Sequence, residues 1–203
     1  MKRFLLILLL LSIILFPNKA WAVSKVEGKW EEVALERNKL LEDSGENIVV
    51  NYELAVAYAN LGKIEQATEI FKSLDENKGK KVLKETIPKY KMIVEKNSND
   101  IIDSNYLAFA YYIMKDYQDS KELFDRLVKL DSENIWTYNY LAVVEHELKN
   151  YNQAEKALKK SLEIEENEYT HFLLGANYYK KGKIFKALYH IGKGGKGVSL
   201  FLN

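Results

Sequence analysis

One recurrence restricts the fold of this chain more than any other feature. A leucine is followed by a small residue at Leu54-Ala55, Leu107-Ala108, Leu141-Ala142 and Leu174-Gly175, after steps of 53, 34 and 33 residues. The clearest copy, residues 135–168, reads IWTYNYLAVVEHELKNYNQAEKALKKSLEIEENE. It holds two amphipathic helical runs separated by a short polar turn at Lys149. A period of about 34 residues points to stacked helical hairpins, because a single hairpin cannot bury its own apolar face. The expected fold class is all-α.

Within each copy, small and large residues keep the same order. In residues 48–81, Leu54, Ala55 and Tyr58 share one helix face, Gly62 falls in the turn, and Ala67 and Phe71 lie on the second helix. Small residues let two helix backbones approach, and large ones fill the space around that contact. Gly62 can take the positive φ that ends a helix sharply. Residues 101–134 repeat the order with Leu107, Ala108, Tyr111, Ser120 and Phe124, where Ser120 replaces alanine but is still small. Residues 135–167 carry Leu141, Ala142, Ala154 and Leu158, with Glu145 in place of the tyrosine. Residues 168–194 carry Leu174, Gly175, Tyr178, Gly182, Ala187 and Ile191.

This order resembles the tetratricopeptide repeat, and the resemblance covers about residues 48–191. It implies a right-handed solenoid of tetratricopeptide-like hairpins whose first helices line a concave groove. By repeat position that face carries Val49, Tyr52, Val56, Ile102, Asn105, Phe109, Tyr112, Trp136, Asn139, Val143, His146, Tyr169, Phe172 and Tyr179. Such an aromatic and apolar surface suits an extended peptide or a partner helix. The set of Lys, Asn and Arg with which some family members clamp a C-terminal carboxylate is not there. Sugar rings or acyl chains are the alternative ligands, and individual aromatics of the set are equally readable as core between repeats.

The intervening stretches are less regular. Residues 23–47 read as an N-terminal capping helix, helical from Trp30 to about Glu42 and stopped at Ser44-Gly45-Glu46-Asn47; a free amphipathic helix is the alternative. Between the first two hairpins the polar run DENKGKK breaks the period at Gly79, and a helix is expected at about 80–95. Pro88 either kinks it or marks a start near Thr86. A shift of 53 residues also aligns Leu40 with Ile93 and Phe71 with Phe124. Residues 30–74 and 83–127 then read as two copies of one helix-plus-hairpin unit, and both an inserted helix and a degenerate repeat fit. The tail, 195–203, follows a cluster of glycines. It is expected to fold back near Phe172, Leu173 and Leu188, with a disordered end or an interaction tail as alternatives. Its Gly-Lys-Gly-Gly-Lys-Gly lacks the Ser or Thr and the strand–turn–helix context of a phosphate loop.

Residues 1–22 have the layout of a signal peptide. Lys2 and Arg3 precede an apolar run from Phe4 to Phe16, and Ala20-Trp21-Ala22 offers small residues at a cleavage site. The run is shorter than the roughly 20 residues of a membrane span, although an uncleaved membrane anchor is the alternative. Cysteine is absent, which excludes disulfides, thiolate chemistry and lipoprotein acylation. The expected address is the periplasm or cell envelope of a bacterium, or a tether on its cytoplasmic membrane. Cleavage removes three cations and no acid, which takes the formal net charge from +1 to −2. Neither value favours nucleic acid.

Catalytic signals are lacking. His146, His171 and His190 fall in different helices without metal-ligand spacing, and no G-x-S-x-G, HExxH or paired-aspartate motif occurs. The carboxylates follow exposed helix faces, some paired with lysine four residues on, as Glu155 with Lys159. The expectation is a non-enzymatic scaffold with no cofactor and no metal.

Overall fold

The computed structural model describes residues 25–74, 77–195 and 197–198; the expected signal peptide and residues 199–203 lie outside the described residues. Ten helices are described: α1 (Lys25–Ser44), α2 (Ile48–Asn60), α3 (Ile64–Leu74), α4 (Asn77–Lys96), α5 (Ile101–Met114), α6 (Tyr117–Leu130), α7 (Ile135–Glu147), α8 (Tyr151–Ile164), α9 (Glu168–Lys180) and α10 (Ile184–Lys193). No strand occurs among the described residues. The pairs α2–α3, α5–α6, α7–α8 and α9–α10 are the four hairpins, and the last three stack in sequence order.

Each hairpin starts on a side-chain cap. Asn47 accepts from the Val49 and Val50 amides, Asp100 from Asp103, Asn134 from Trp136, and Asn167 from Tyr169 and Thr170, at 2.9–3.3 Å. These caps stand at the same steps of 53, 34 and 33 residues as the leucines, and they satisfy donors that a helix start leaves unpaired. The four turns also share one backbone solution. Gly62, Lys115, Lys149 and Gly182 occupy equivalent positions with φ of 70°, 66°, 63° and 70°.

The small residues are where the helices meet. Ala55, Ala67, Ala108, Ser120, Ala142, Ala154, Gly175 and Ala187 are all buried, and so are Leu54, Leu107, Leu141, Leu174, Phe124, Leu158 and Tyr178. Tyr58, Phe71, Tyr111 and Ile191 pack at the edges, half-buried. A Cβ on Gly175 would lie 2.7 Å from the Ile191 side chain and 3.2 Å from the Ala187 carbonyl, so glycine is what lets α10 close on α9. Ser120 donates its hydroxyl to the Ala108 carbonyl across its hairpin at 2.8 Å. Glu145, in the tyrosine position, is buried but accepts from the Asn150 amide at 2.8 Å and lies 3.8 Å from the Lys121 ammonium.

Two boundaries differ from the sequence expectation. The capping helix begins at least five residues before Trp30, and α4 begins at Asn77. Gly79 therefore does not break the chain; it sits in the first turn of α4, where a Cβ would run into the Leu74 backbone carbonyl. Pro88 lies inside α4, neither starting nor interrupting the helix. The helix packs on α5 as α1 packs on α2, which agrees with the 53-residue copy. Trp30 and Leu83, one such step apart, are both fully buried.

Candidate functional site

The apolar face of α3 turns toward α5 and α7, leaving an open groove of about 580 Å³. The α5 wall presents Phe109, Tyr112 and Ile113, α7 presents Tyr140, Val143 and Val144, and α3 presents Ala67, Thr68 and Phe71. The groove is apolar because core-facing positions of these three helices, with Tyr117 and Phe124 of α6, converge there. Its aromatics brace one another. Phe71 stacks on Phe109 at 5.6 Å between centroids, and Tyr140 meets Phe109 edge-on at 4.7 Å. The Tyr140 hydroxyl donates to the Ala59 carbonyl at 2.7 Å, which pins the ring. Burial pushes that phenol far above its usual range, and burial together with Glu147 and Tyr117 pushes Tyr112 up to about 12. Both are neutral donors at physiological pH. Lys72, Lys80 and Lys115 stand around the rim, and no carboxylate lines the groove. The size lies in the range of small-ligand and side-chain pockets.

The groove expected from repeat position is only partly this one. Phe109 and Tyr112 do line it. Tyr52, Asn105 and Asn139 are fully buried and accessible to no partner. Tyr52 donates to the Tyr106 carbonyl. Asn105 accepts from Asn60 at 3.3 Å, and Asn139 exchanges hydrogen bonds with Thr170 at 2.9 and 3.1 Å, so both amides tie repeats together. Trp136 covers the α2–α3 turn: a Cβ on Gly62 would stand 2.5 Å from its indole. Tyr169, close to Trp136, donates to Glu65 at the start of α3. His146 lies 3.2 Å from the Asn177 amide oxygen. Phe172 is covered by Gly194 and Gly197, whose backbones pass over it. Tyr179 is exposed at the far end of the stack. The face expected to be open is thus crossed by the first hairpin, which touches the third and fourth. Gly194 and Gly197 pass over Phe172, Leu188 is 61 % exposed, and residues 199–203, which hold most of the apolar side chains expected to cover this hairpin, lie outside the described residues.

Two other clusters are polar. A polar cleft of about 610 Å³ between α6, α7 and α8 is lined by charged side chains that pair among themselves, such as Lys159 with Glu155 at 2.8 Å and Lys160 with Glu163 at 3.2 Å. His171 and His190, 19 residues apart, come together with their Nδ1 atoms at 2.8 Å, while His171 Nε2 lies 2.6 Å from Glu166. Burial, His171 and Lys193 depress the His190 pKa. Among the described residues no group of three or more His, Asp or Glu is placed to hold a metal.

Comparison with known proteins gives a consistent picture. Sequence models of the tetratricopeptide repeat match residues 48–80 and 100–167. No curated protein is similar enough in sequence to count as a relative. Among solved structures, one of MamA superposes with a TM-score of 0.53 at 16 % identity, covering 85 % of each chain. A second MamA structure gives 0.52 at 16 %, covering 88 % of this chain and 94 % of that one. TTC0263, a thermophilic TPR protein of Thermus thermophilus, gives 0.51 at 16 %, covering 82 % of each. At such identities the likeness is one of fold.

Proposed function

The chain belongs to the tetratricopeptide-repeat family, and we propose that it works as a non-catalytic protein-binding scaffold or assembly adaptor in the bacterial cell envelope. The observation that carries this reading is the open aromatic groove between α3, α5 and α7. An apolar side chain or short helix of a partner would bury itself against Phe71, Phe109 and Tyr140, which are pre-ordered by their mutual packing, so little entropy is lost on binding. Acidic residues beside that anchor would meet Lys72 and Lys115, giving orientation and a faster encounter. Support for the envelope comes from Lys2, Arg3, the apolar run and Ala20-Trp21-Ala22. Such a chain would be exported, or held on the membrane by an uncleaved leader.

The test uses the exported chain as bait with groove variants Tyr112→Ser and Val143→Asp. Both positions are half-buried on the groove wall, away from the contacts that close the first hairpin. Loss of a recovered partner in both, with the helical circular dichroism unchanged, is the expected result. Trp136 is unsuited to this purpose, since its removal also frees the α2–α3 turn. Retention of the same partner by both variants contradicts the groove assignment. Binding of peptidoglycan or lipid extract that these two substitutions abolish, with no protein recovered, transfers the groove to a glycan- or lipid-associated role.

A further inference from the structure

Among the described residues, no further helix packs on the outer face of α10. Along it run Ile184, Phe185, Leu188 and Tyr189, with Tyr179 of α9 beside them; Phe185 is 90 % exposed. Positions 184, 185, 188 and 189 form one stripe on a helix. The charge around the stripe has one sign. Among the described residues, lysines 180, 181, 183, 186 and 193 follow Glu168, and no Asp or Glu does. The acids at this hairpin are Glu168, at the start of α9 and beside Gly195, and two from the preceding segment. Glu155 of α8 is taken up by Lys181 at 2.5 Å and by Lys159, and Glu166 by Lys193 at 3.0 Å and by His171. Lys180 and Lys186 are exposed.

We propose that the α9–α10 hairpin docks on the surface of an anionic lipid bilayer, with Phe185 and Leu188 in the interface and Lys180 and Lys186 on the headgroups. An exposed aromatic and aliphatic stripe with a lysine fringe is what an interfacial helix requires. Apolar insertion and headgroup attraction each bind weakly, and together they make a reversible anchor. Charge complementarity favours an anionic bilayer over a neutral one. No described helix is long and apolar enough to cross a membrane, so the hairpin would lie on the surface. The groove between α3, α5 and α7 would still be open to a partner, and the two sites are independent.

The chain has no cysteine, so Leu188→Cys gives a unique site for an environment-sensitive fluorophore. Full-length labelled protein is mixed with phosphatidylcholine vesicles containing about one-third phosphatidylglycerol, and with pure phosphatidylcholine vesicles. The expected result is a blue shift on the anionic vesicles alone, weakening as salt rises. A label at Leu35→Cys, on exposed α1, should not shift. That control separates docking of α10 from insertion of the apolar residues 4–16, which would hold the protein on vesicles without moving the Leu188 label into lipid. Lys180→Glu with Lys186→Glu should raise the lipid concentration at half-shift at least about tenfold, with unchanged helical circular dichroism. Lack of a shift on anionic vesicles, an equal shift on neutral ones, or indifference to the two charge reversals overturns the proposal.

Discussion

Gly62→Ala is expected to destabilise the protein by about 2–4 kcal/mol, whereas Gly182→Ala costs only about 1 kcal/mol. Both glycines sit at φ +70° in equivalent hairpin turns, so the backbone strain added by a Cβ is the same. That strain is tolerable, because Lys115 and Lys149 carry it in the two intermediate turns. The difference is what lies outside the turn. Nothing stands within 4 Å of a Cβ on Gly182, but the indole of Trp136 would be 2.5 Å from one on Gly62. Trp136 cannot retreat easily, since its other side is against Tyr169 at 5.9 Å between centroids. Urea midpoints of the two variants decide the matter. Trp136→Leu in the Gly62→Ala background should recover part of the loss, as expected of two residues in direct contact. Equal costs at the two glycines would mean that the first hairpin does not close on the third.

Glu53→Ala is the second large effect, about 2–4 kcal/mol. The Glu53 carboxylate accepts from Arg37 Nε at 2.6 Å and from the Tyr90 hydroxyl at 2.8 Å, and so joins α1, α2 and α4. Its removal leaves a phenol without a partner inside the core and a largely buried guanidinium without its main counter-ion. Burial, the largest cause of the raised Tyr90 pKa, persists without Glu53, so the phenol stays protonated and keeps a proton with no acceptor. Glu36, which also touches Arg37 at 2.9 Å, is mostly exposed, and Glu36→Ala should cost under about 0.5 kcal/mol. Because a repeat is stabilised by its neighbours, hydrogen exchange should quicken first in α1 and α4. Similar costs for the two glutamates would place the carboxylate of Glu53 in solvent.

These two sites mark where sequence reasoning reached and where it stopped. The four hairpins and the helix between the first two could be read from recurring leucines and alanines, because those residues set the closest approach of each helix pair. The caps Asn47, Asp100, Asn134 and Asn167 recur in the same phase and stand immediately before the hairpin starts at 48, 101, 135 and 168 that the period had placed. Glu53 was also visible: it is the charged residue in a register otherwise filled by Tyr106, Tyr140 and Leu173. The face of the groove was not legible. Repeat position assigns the inner surface as if the hairpins fanned open, but the contacts that close it, Gly62 with Trp136 and Glu65 with Tyr169, join residues far apart that obey no period. Tyr52, Asn105 and Asn139 are instead interior because they pack between neighbouring repeats, against Tyr106, Asn60 and Thr170, and Phe71, a packing position by sequence, comes to the wall of the groove.

The groove assignment is tested most directly inside the cell. A photoreactive amino acid placed at Val143, half-buried on the groove wall, is compared with one at Lys39, exposed on α1. A discrete crosslinked protein is expected from position 143, absent from position 39 and lost when Tyr112→Ser is added. Crosslinks of equal yield to the same protein from both positions, or a product at 143 that is indifferent to Tyr112, would contradict the groove assignment.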